Sequence, residues 1–360
     1  MKERLHPFQI AILIYMIQSG VILFSLPRLA IEAFGTNGWV GIIIIWLLST
    51  INIVLIWFVF KYGKDQSIFE ILTPIHKLIK VPIFLFLFFV WTSLGSMVMV
   101  KFMFITKMLF FPDLPIGILS VMALIICFIL LNGGIYHICK TVVVLFFFTI
   151  WTTFLLGFHL QEFSFTRLTP FFFQGDKELI KGGIEVYSAF LGYELSLLFL
   201  HILEKRKLTA LIVGNSITLF IYFGVTFISF GFFSIEQLRQ EMYPLVSLLE
   251  YIKIPVLERV ENLIFTLFGL KVLITVVMYL WGAKEVIEQI IPKVKSVFIV
   301  VGIITISFAM SLYPKIMREV DTLIEYLSYM AIGIAFGLPI LLVTIIVSRK
   351  LLKKDQSANG

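Results

Sequence analysis

The chain is predicted to be an all-α polytopic membrane protein with ten transmembrane helices. Of its 360 residues 60% are hydrophobic and Phe alone occurs 38 times. Only 14% are charged, and the mean hydropathy is +1.03. The apolar residues form long runs separated by short polar connections, each run of a length that crosses the hydrocarbon as one helix. A soluble domain could not hide that much apolar surface from water.

The runs fall at about 8–30, 39–60, 82–106, 116–132, 141–160, 183–201, 208–231, 262–281, 296–312 and 326–348. The first holds Gln18-Ser19-Gly20 halfway across and Pro27-Arg28 at its far end, so a continuous helix is not expected there. The third carries the polar side chains Thr92, Ser93 and Ser96, with Lys101 in its outer portion. The sixth starts near Glu185 and reads Phe190-Leu191-Gly192-Tyr193-Glu194-Leu195-Ser196. Gly192 makes it a second candidate for a broken helix, with Glu194 close to the midplane. The eighth places Lys271 about ten residues from either end. The last contains Gly333 and Gly337, a spacing that permits close helix packing.

Orientation follows from the connections. The N-terminus, the even-numbered loops and the tail together carry about twice as many Lys and Arg as the odd-numbered loops, the bias of cytoplasmic segments. Both termini are therefore expected in the cytoplasm. The first run is too long for a signal-peptide core and lacks a small-residue cleavage site, so it is expected to be retained. Of the longer outer connections, 161–182 and 232–261, the second shows helical spacing at Leu238, Leu245, Leu248 and Leu249. This reads as amphipathic helices over the outer mouth.

The net charge of +7 lies in short clusters at span ends, such as Lys205-Arg206-Lys207 and Arg349-Lys350. That pattern serves orientation and anionic lipid, and no nucleic-acid partner is expected. Cys127 and Cys139 have neither disulfide nor metal spacing, and the five histidines sit near span ends. Phosphate loops, dinucleotide fingerprints, zinc-protease motifs and nucleophile elbows are absent, so neither catalysis, a cofactor nor a metal is expected.

Ionisable groups at membrane depth are costly and usually functional, which directs attention to Glu194 and Lys271. The two could form a buried ion pair, or Lys271 could act as a fixed or proton-switched cation. At the first break, amides freed at Ser19, Gly20 and Val21 could bind a carboxylate. Alternatively, Gly20 only permits close packing and Ser19 bonds to its own helix.

Broken first and sixth spans, together with Ser19-Gly20-Val21-Ile22-Leu23, resemble the LeuT-type amino acid–polyamine–cation transporters, although Gln18 stands where their signature has a glycine. More narrowly, residues 5–350 resemble the B subunits of endospore germinant receptors. That likeness rests on Ser19-Gly20 through Leu26-Pro27-Arg28, Gly192-Tyr193-Glu194-Leu195-Ser196, Tyr243-Pro244-Leu245 and Pro255 through Glu261. The resemblance implies one transmembrane domain over 1–360, built as a 5+5 inverted repeat with halves at about 8–160 and 183–348 and a short tail, 349–360. It further implies a small germinant, commonly an amino acid, in the first, third, sixth and eighth spans. Its carboxylate would meet the amides of Ser19, Gly20 and Val21. Its ammonium would meet carbonyls near Phe190, Gly192 and Tyr193, together with Glu194, while Thr92, Ser93 and Ser96 are the third-span groups. Lys271 would replace a coupling metal ion. An A subunit and a C lipoprotein in the spore inner membrane are the implied partners. A germinant sensor, a proton-coupled amino acid permease and, more remotely, an intramembrane enzyme stay open at this point.

Overall fold

The computed structural model describes residues 5–175, 178–203, 205–252 and 260–358. Among these residues fourteen α-helices follow one another: α1 Pro7–Gln18, α2 Leu26–Phe34, α3 Gly38–Gly63, α4 Ile68–Ile71, α5 Lys77–Leu109, α6 Ile116–Ile150, α7 Leu179–Ser188, α8 Ser196–Phe199, α9 Lys207–Phe232, α10 Ile235–Gln240, α11 Pro244–Glu250, α12 Val260–Ile290, α13 Ser296–Ser311 and α14 Met317–Ala358. Short 3-10 turns join several of them, and there is no strand among the described residues.

Local chemistry explains the helix starts. His6 Nδ1 accepts the Phe8 amide at 3.2 Å while Gln9 Oε1 accepts the His6 amide at 2.9 Å, and Pro7 stands in the first turn, where its missing N–H costs nothing. His76 caps α5 in a similar way, through the Leu78 amide. Two of the five histidines thus close helix ends. His159 is instead buried edge-on against Phe232.

Helices α5 and α12 run alongside each other through the middle of the molecule, and α1 is wedged among α6, α9 and α12. In the most apolar stretch of α5 and of α12, 72% of residues are buried, against 39% for α14 and 33% for the stretch containing α6. Exposed Ile125, Ile129, Phe147 and Ile340 give the outer helices a surface suited to lipid. This is an integral membrane protein by the length and polarity of its helices.

Among the described residues six stretches are long and apolar enough to cross a bilayer: Leu26–Gly63, Lys77–Leu109, Ile116–Gln161, Lys207–Phe232, Asn262–Ile290 and Met317–Leu351. The pair Leu179–Ser188 and Tyr193–Ile202, bent by 52°, makes a seventh. The difference from the ten expected runs has local causes. The first is divided at Ser19-Gly20, which leaves α1 with 12 residues. The expected fourth and fifth runs are joined in one stretch, kinked where Gly134 takes φ 69 and ψ −179, because no Pro or long polar loop separates them. The ninth, α13, has 16 residues. The expected tail stays helical to Ala358.

The Gly333/Gly337 spacing is not used inside the chain, since a side chain at either position would meet nothing within 4 Å. Helices α10 and α11 bury Leu238, Leu245, Leu248 and Leu249 as their spacing predicts. Residues Pro255 to Arg259 of the family-like motif lie outside the described residues, as does Glu204.

Candidate functional site

Helix α1 stops at Gln18. Ser19 (φ −70, ψ 52) and Gly20 (φ −83, ψ −175) are not helical, and the chain re-forms as a 3-10 turn over Val21–Phe24 before α2. Pro27 in the first turn of α2 prevents a continuous helix from running back through the break. The second break follows α7, where Gly192 takes φ 109, a conformation that glycine adopts without strain. A Cβ there would also collide with Ile17 of α1, so the two breaks lie against each other.

The groups that hold them together come mainly from Gln18. Its Nε2 donates to the Phe190 carbonyl at 2.7 Å and to Asn215 Oδ1 at 3.0 Å, and its Oε1 accepts from Thr218 at 2.6 Å. A carbonyl can only accept, which determines how the Gln18 amide is turned. Tyr222 OH donates to the Gln18 carbonyl and reaches Ala189 O at 3.0 Å. Asn215 continues the chain of bonds to Ser49 (2.9 Å) and Thr50 (3.0 Å) on α3. Every one of these groups would be costly if left unpaired away from water.

Several groups expected to be free are already occupied. The Ser19 amide donates to Tyr15 O at 2.9 Å and the Gly20 amide to Gln18 O at 2.6 Å. Of the three expected amides only Val21 stands at the start of the 3-10 turn, and Ile22 joins it there. These positions have no acceptor inside their own helix. Thr275 Oγ1 bonds the Ile17 carbonyl at 2.8 Å. Phe190 O is taken by Gln18, and the Phe190 ring packs edge-on against Tyr222. Tyr193 OH shares a 2.6 Å bond with Tyr187 OH.

Glu194 is fully buried. Its Oε2 accepts the Gly192 amide at 2.6 Å and its Oε1 accepts Tyr279 OH at 3.2 Å. Lys271 therefore does not pair with it. The Lys271 ammonium donates instead to Tyr15 OH at 2.8 Å and lies over the Tyr15 and Phe268 rings.

Between the breaks lies a cavity of about 30 Å³ lined by Gly20, Val21, Ser188, Leu191, Thr275 and Tyr279, among others. That is room for about one water. The third span contributes Leu94 and Val98 to this lining. Thr92, Ser93 and Ser96 do not line it: Ser96 bonds the Thr92 carbonyl, and the Thr92 and Ser93 hydroxyls are buried without a protein partner. Ser19, Glu194 and Lys271 are likewise absent from the lining.

Ile22, Ser188, Ile324 and Ser328 also line a larger cavity, about 230 Å³, that carries Arg28, Lys101, Glu185, Arg318, Asp321 and Glu325. Lys101 meets Asp321 there at 2.8 Å, so its depth is met by a salt bridge. Among the described residues no group of three His, Cys, Asp or Glu could hold a metal.

Sequence reasoning missed Thr275, Tyr279 and Asp321 and gave Gln18 no role. Lys271, Thr275 and Tyr279 recur at four-residue steps along one face of α12, a stripe that periodicity could have found. The role of Gln18 depends on partners about 170 to 200 residues away, as the separations of its bonds to Phe190 and Thr218 show.

A family model described as spore germination protein, the spore permease family, matches residues 4–320. Spore germination protein GerQB of Bacillus cereus is 22% identical over 329 residues, covering 89% of this chain and 90% of its own length. Spore germination protein XB of Bacillus anthracis is 29% identical over 262 residues, covering 68% and 72%. Spore germination protein YndE of Bacillus subtilis (strain 168) is 23% identical over 192 residues, covering 52% and 53%. With the family match running almost from the first helix into the last, the chain belongs to the spore permease family of spore germination proteins.

Proposed function

We propose that the chain is a germinant-sensing membrane subunit with a transporter fold. In this reading ten spans form two inverted halves of five, each opening with a broken helix, and both termini lie in the cytoplasm. A small nutrient, an amino acid, binds at the midplane between the breaks. Its carboxylate meets the amides of Val21 and Ile22, and its ammonium faces the Tyr279 hydroxyl oxygen, which Glu194 polarises from behind. The observation that carries this reading is the contact of two helix breaks beside a cavity that shares lining residues with a charged vestibule. Irregular backbone at this depth is tolerated where it lines such a space.

The size of the inner cavity adds a mechanism. A space that fits about one water must widen to accept an amino acid, so the ligand favours an expanded arrangement over the one described. The two breaks would then separate against the Gln18 bonds, and the change would pass to an A subunit and a C lipoprotein in the spore inner membrane. A sensor needs no more than this shift in population.

A second reading, a proton-coupled amino acid permease, is favoured by the full burial of Glu194 beside the same cavity, a position typical of intramembrane proton carriers. Reconstitution separates the two. Uptake of labelled amino acid driven by a proton gradient would establish the permease, whereas ligand binding without uptake supports the sensor. Binding itself is tested with Val21→Pro. Gly20 is already extended, as a residue before proline must be, and proline suits the first position of a helical turn. The variant should keep its thermal stability but lose most stabilisation by amino acids, because one amide is deleted. Undiminished stabilisation in Val21→Pro would remove the amide site.

A further inference from the structure

Three lysines are at least nine-tenths buried among the described residues: Lys207, Lys271 and Lys284. Lys207 is paired with Asp65, and Lys284 with Glu285 at 3.3 Å and Glu288 at 3.2 Å. Lys271, only 3% exposed and the deepest of the three, has no carboxylate partner among the described residues. One of its three ammonium protons is used by Tyr15 OH, and the rings of Tyr15 and Phe268 supply the remaining described contacts.

Lys271 lines a cavity of about 40 Å³ that shares no lining residue with the cavity between the breaks. It lies on the side of the 3-10 turn that carries Leu23 and Phe24, under α11 and beside the 3-10 segment Trp151–Gln161. Its other polar lining groups are Thr152 and Thr153. Thr152 gives its proton to Thr149 O at 2.7 Å, whereas the Thr153 hydroxyl bonds no described protein group. The phenol of Tyr15 accepts from Lys271 and has its own proton to donate. The ammonium and the Thr153 hydroxyl therefore border one small space, with the Tyr15 phenol bonded to the ammonium, and no carboxylate lines it among the described residues.

We propose that this cavity is a binding site for a small monovalent anion of halide size, held by the Lys271 ammonium and the Thr153 hydroxyl, with Tyr15 orienting the ammonium. A water would satisfy the same protons but leave a full positive charge in surroundings of low dielectric. An anion removes that charge as well. Apart from Thr152, the rest of the lining, including Phe24, Phe265 and Phe268, is apolar, so the charge of the ammonium is poorly screened there. The volume exceeds the roughly 10–15 Å³ needed for a water, so a halide needs no widening of the space, and the lining shares no residue with the cavity between the breaks. The site is thus independent of the amino acid site, and either can fail without the other.

Equilibrium binding of radioactive chloride to the full chain in nanodiscs, prepared in gluconate, tests it directly. The expected result is saturable binding near one chloride per chain, competed by bromide but not by gluconate. It should be abolished in Lys271→Met and weakened about tenfold in Thr153→Val and in Tyr15→Phe. Thermal unfolding of the wild type should rise saturably with chloride at constant ionic strength, and Lys271→Met should not respond. Absence of saturable chloride binding by the wild type would overturn the proposal. So would undiminished binding in Lys271→Met. Should Lys271→Met fail to accumulate, unchanged affinity in both hydroxyl variants overturns it equally.

Discussion

Gln18 Nε2 donates to the carbonyl oxygen of Phe190 at 2.7 Å, joining the end of α1 to the break that follows α7 across 172 residues of sequence. A side chain that interrupts an apolar helix in the sequence becomes, in three dimensions, the group that satisfies the carbonyl freed by the other interruption.

Removing that group should therefore be felt well beyond Gln18 itself. Gln18→Leu leaves Phe190 O, Asn215 and Thr218 short of partners, with about 1–3 kcal/mol at stake for each buried group. The expected outcome is a marked fall in thermal stability. Because Asn215 is bonded to Gln18, the losses from Gln18→Leu and Asn215→Leu should be non-additive by about 0.5–3 kcal/mol in a double-mutant cycle. Strict additivity would show that the bond contributes nothing.

The two glycines of the breaks should respond in opposite ways. Gly20 has φ −83, open to any residue, and an added Cβ would lie 3.8 Å from its nearest neighbours. Gly20→Ala should cost under about 0.5 kcal/mol, an ordinary effect for a site without a packing conflict. Gly192 has φ 109 and Ile17 in the way, so Gly192→Ala should cost more than about 1 kcal/mol from backbone strain alone. Thermal unfolding of both variants in the same lipid gives the comparison, and equal stability would contradict it.

Glu194 and Lys271 should act independently. Glu194 is bonded to Tyr279, which stands eight residues, or about 12 Å, along α12 from Lys271. The stability changes of Glu194→Gln and Lys271→Met should add to within about 0.5 kcal/mol. Rescue of one by the other would instead reveal an ion pair in a conformation different from this one.

Topology is open to labelling. Both native cysteines, Cys127 and Cys139, are buried, so their background should be low. Single cysteines placed in 236–250 should react with an impermeant thiol reagent added outside, and those in 64–80 should be protected until the membrane is opened. Reaction of both sets from outside would refute the charge-based orientation.

Membrane residence, the helical class and the two places where a helix must break were legible in the sequence, because each rests on near neighbours. Hydrocarbon solvent demands long apolar helices, and Ser19-Gly20 and Gly192 weaken them where they stand. The amphipathic spacing of Leu238, Leu245, Leu248 and Leu249 was legible for the same reason. What each polar group does was decided by tertiary structure. Ser19 and Gly20 spend their amides on residues of α1, Glu194 turns back to the Gly192 amide, and the third-span hydroxyls lie outside the cavity while Leu94 and Val98 line it. Lys271 and Glu194, both near mid-membrane in the sequence, find Tyr15 and Tyr279 rather than each other. A buried donor or acceptor must be satisfied by whatever the fold brings within about 3 Å, and partners some 200 residues away leave no trace in local composition.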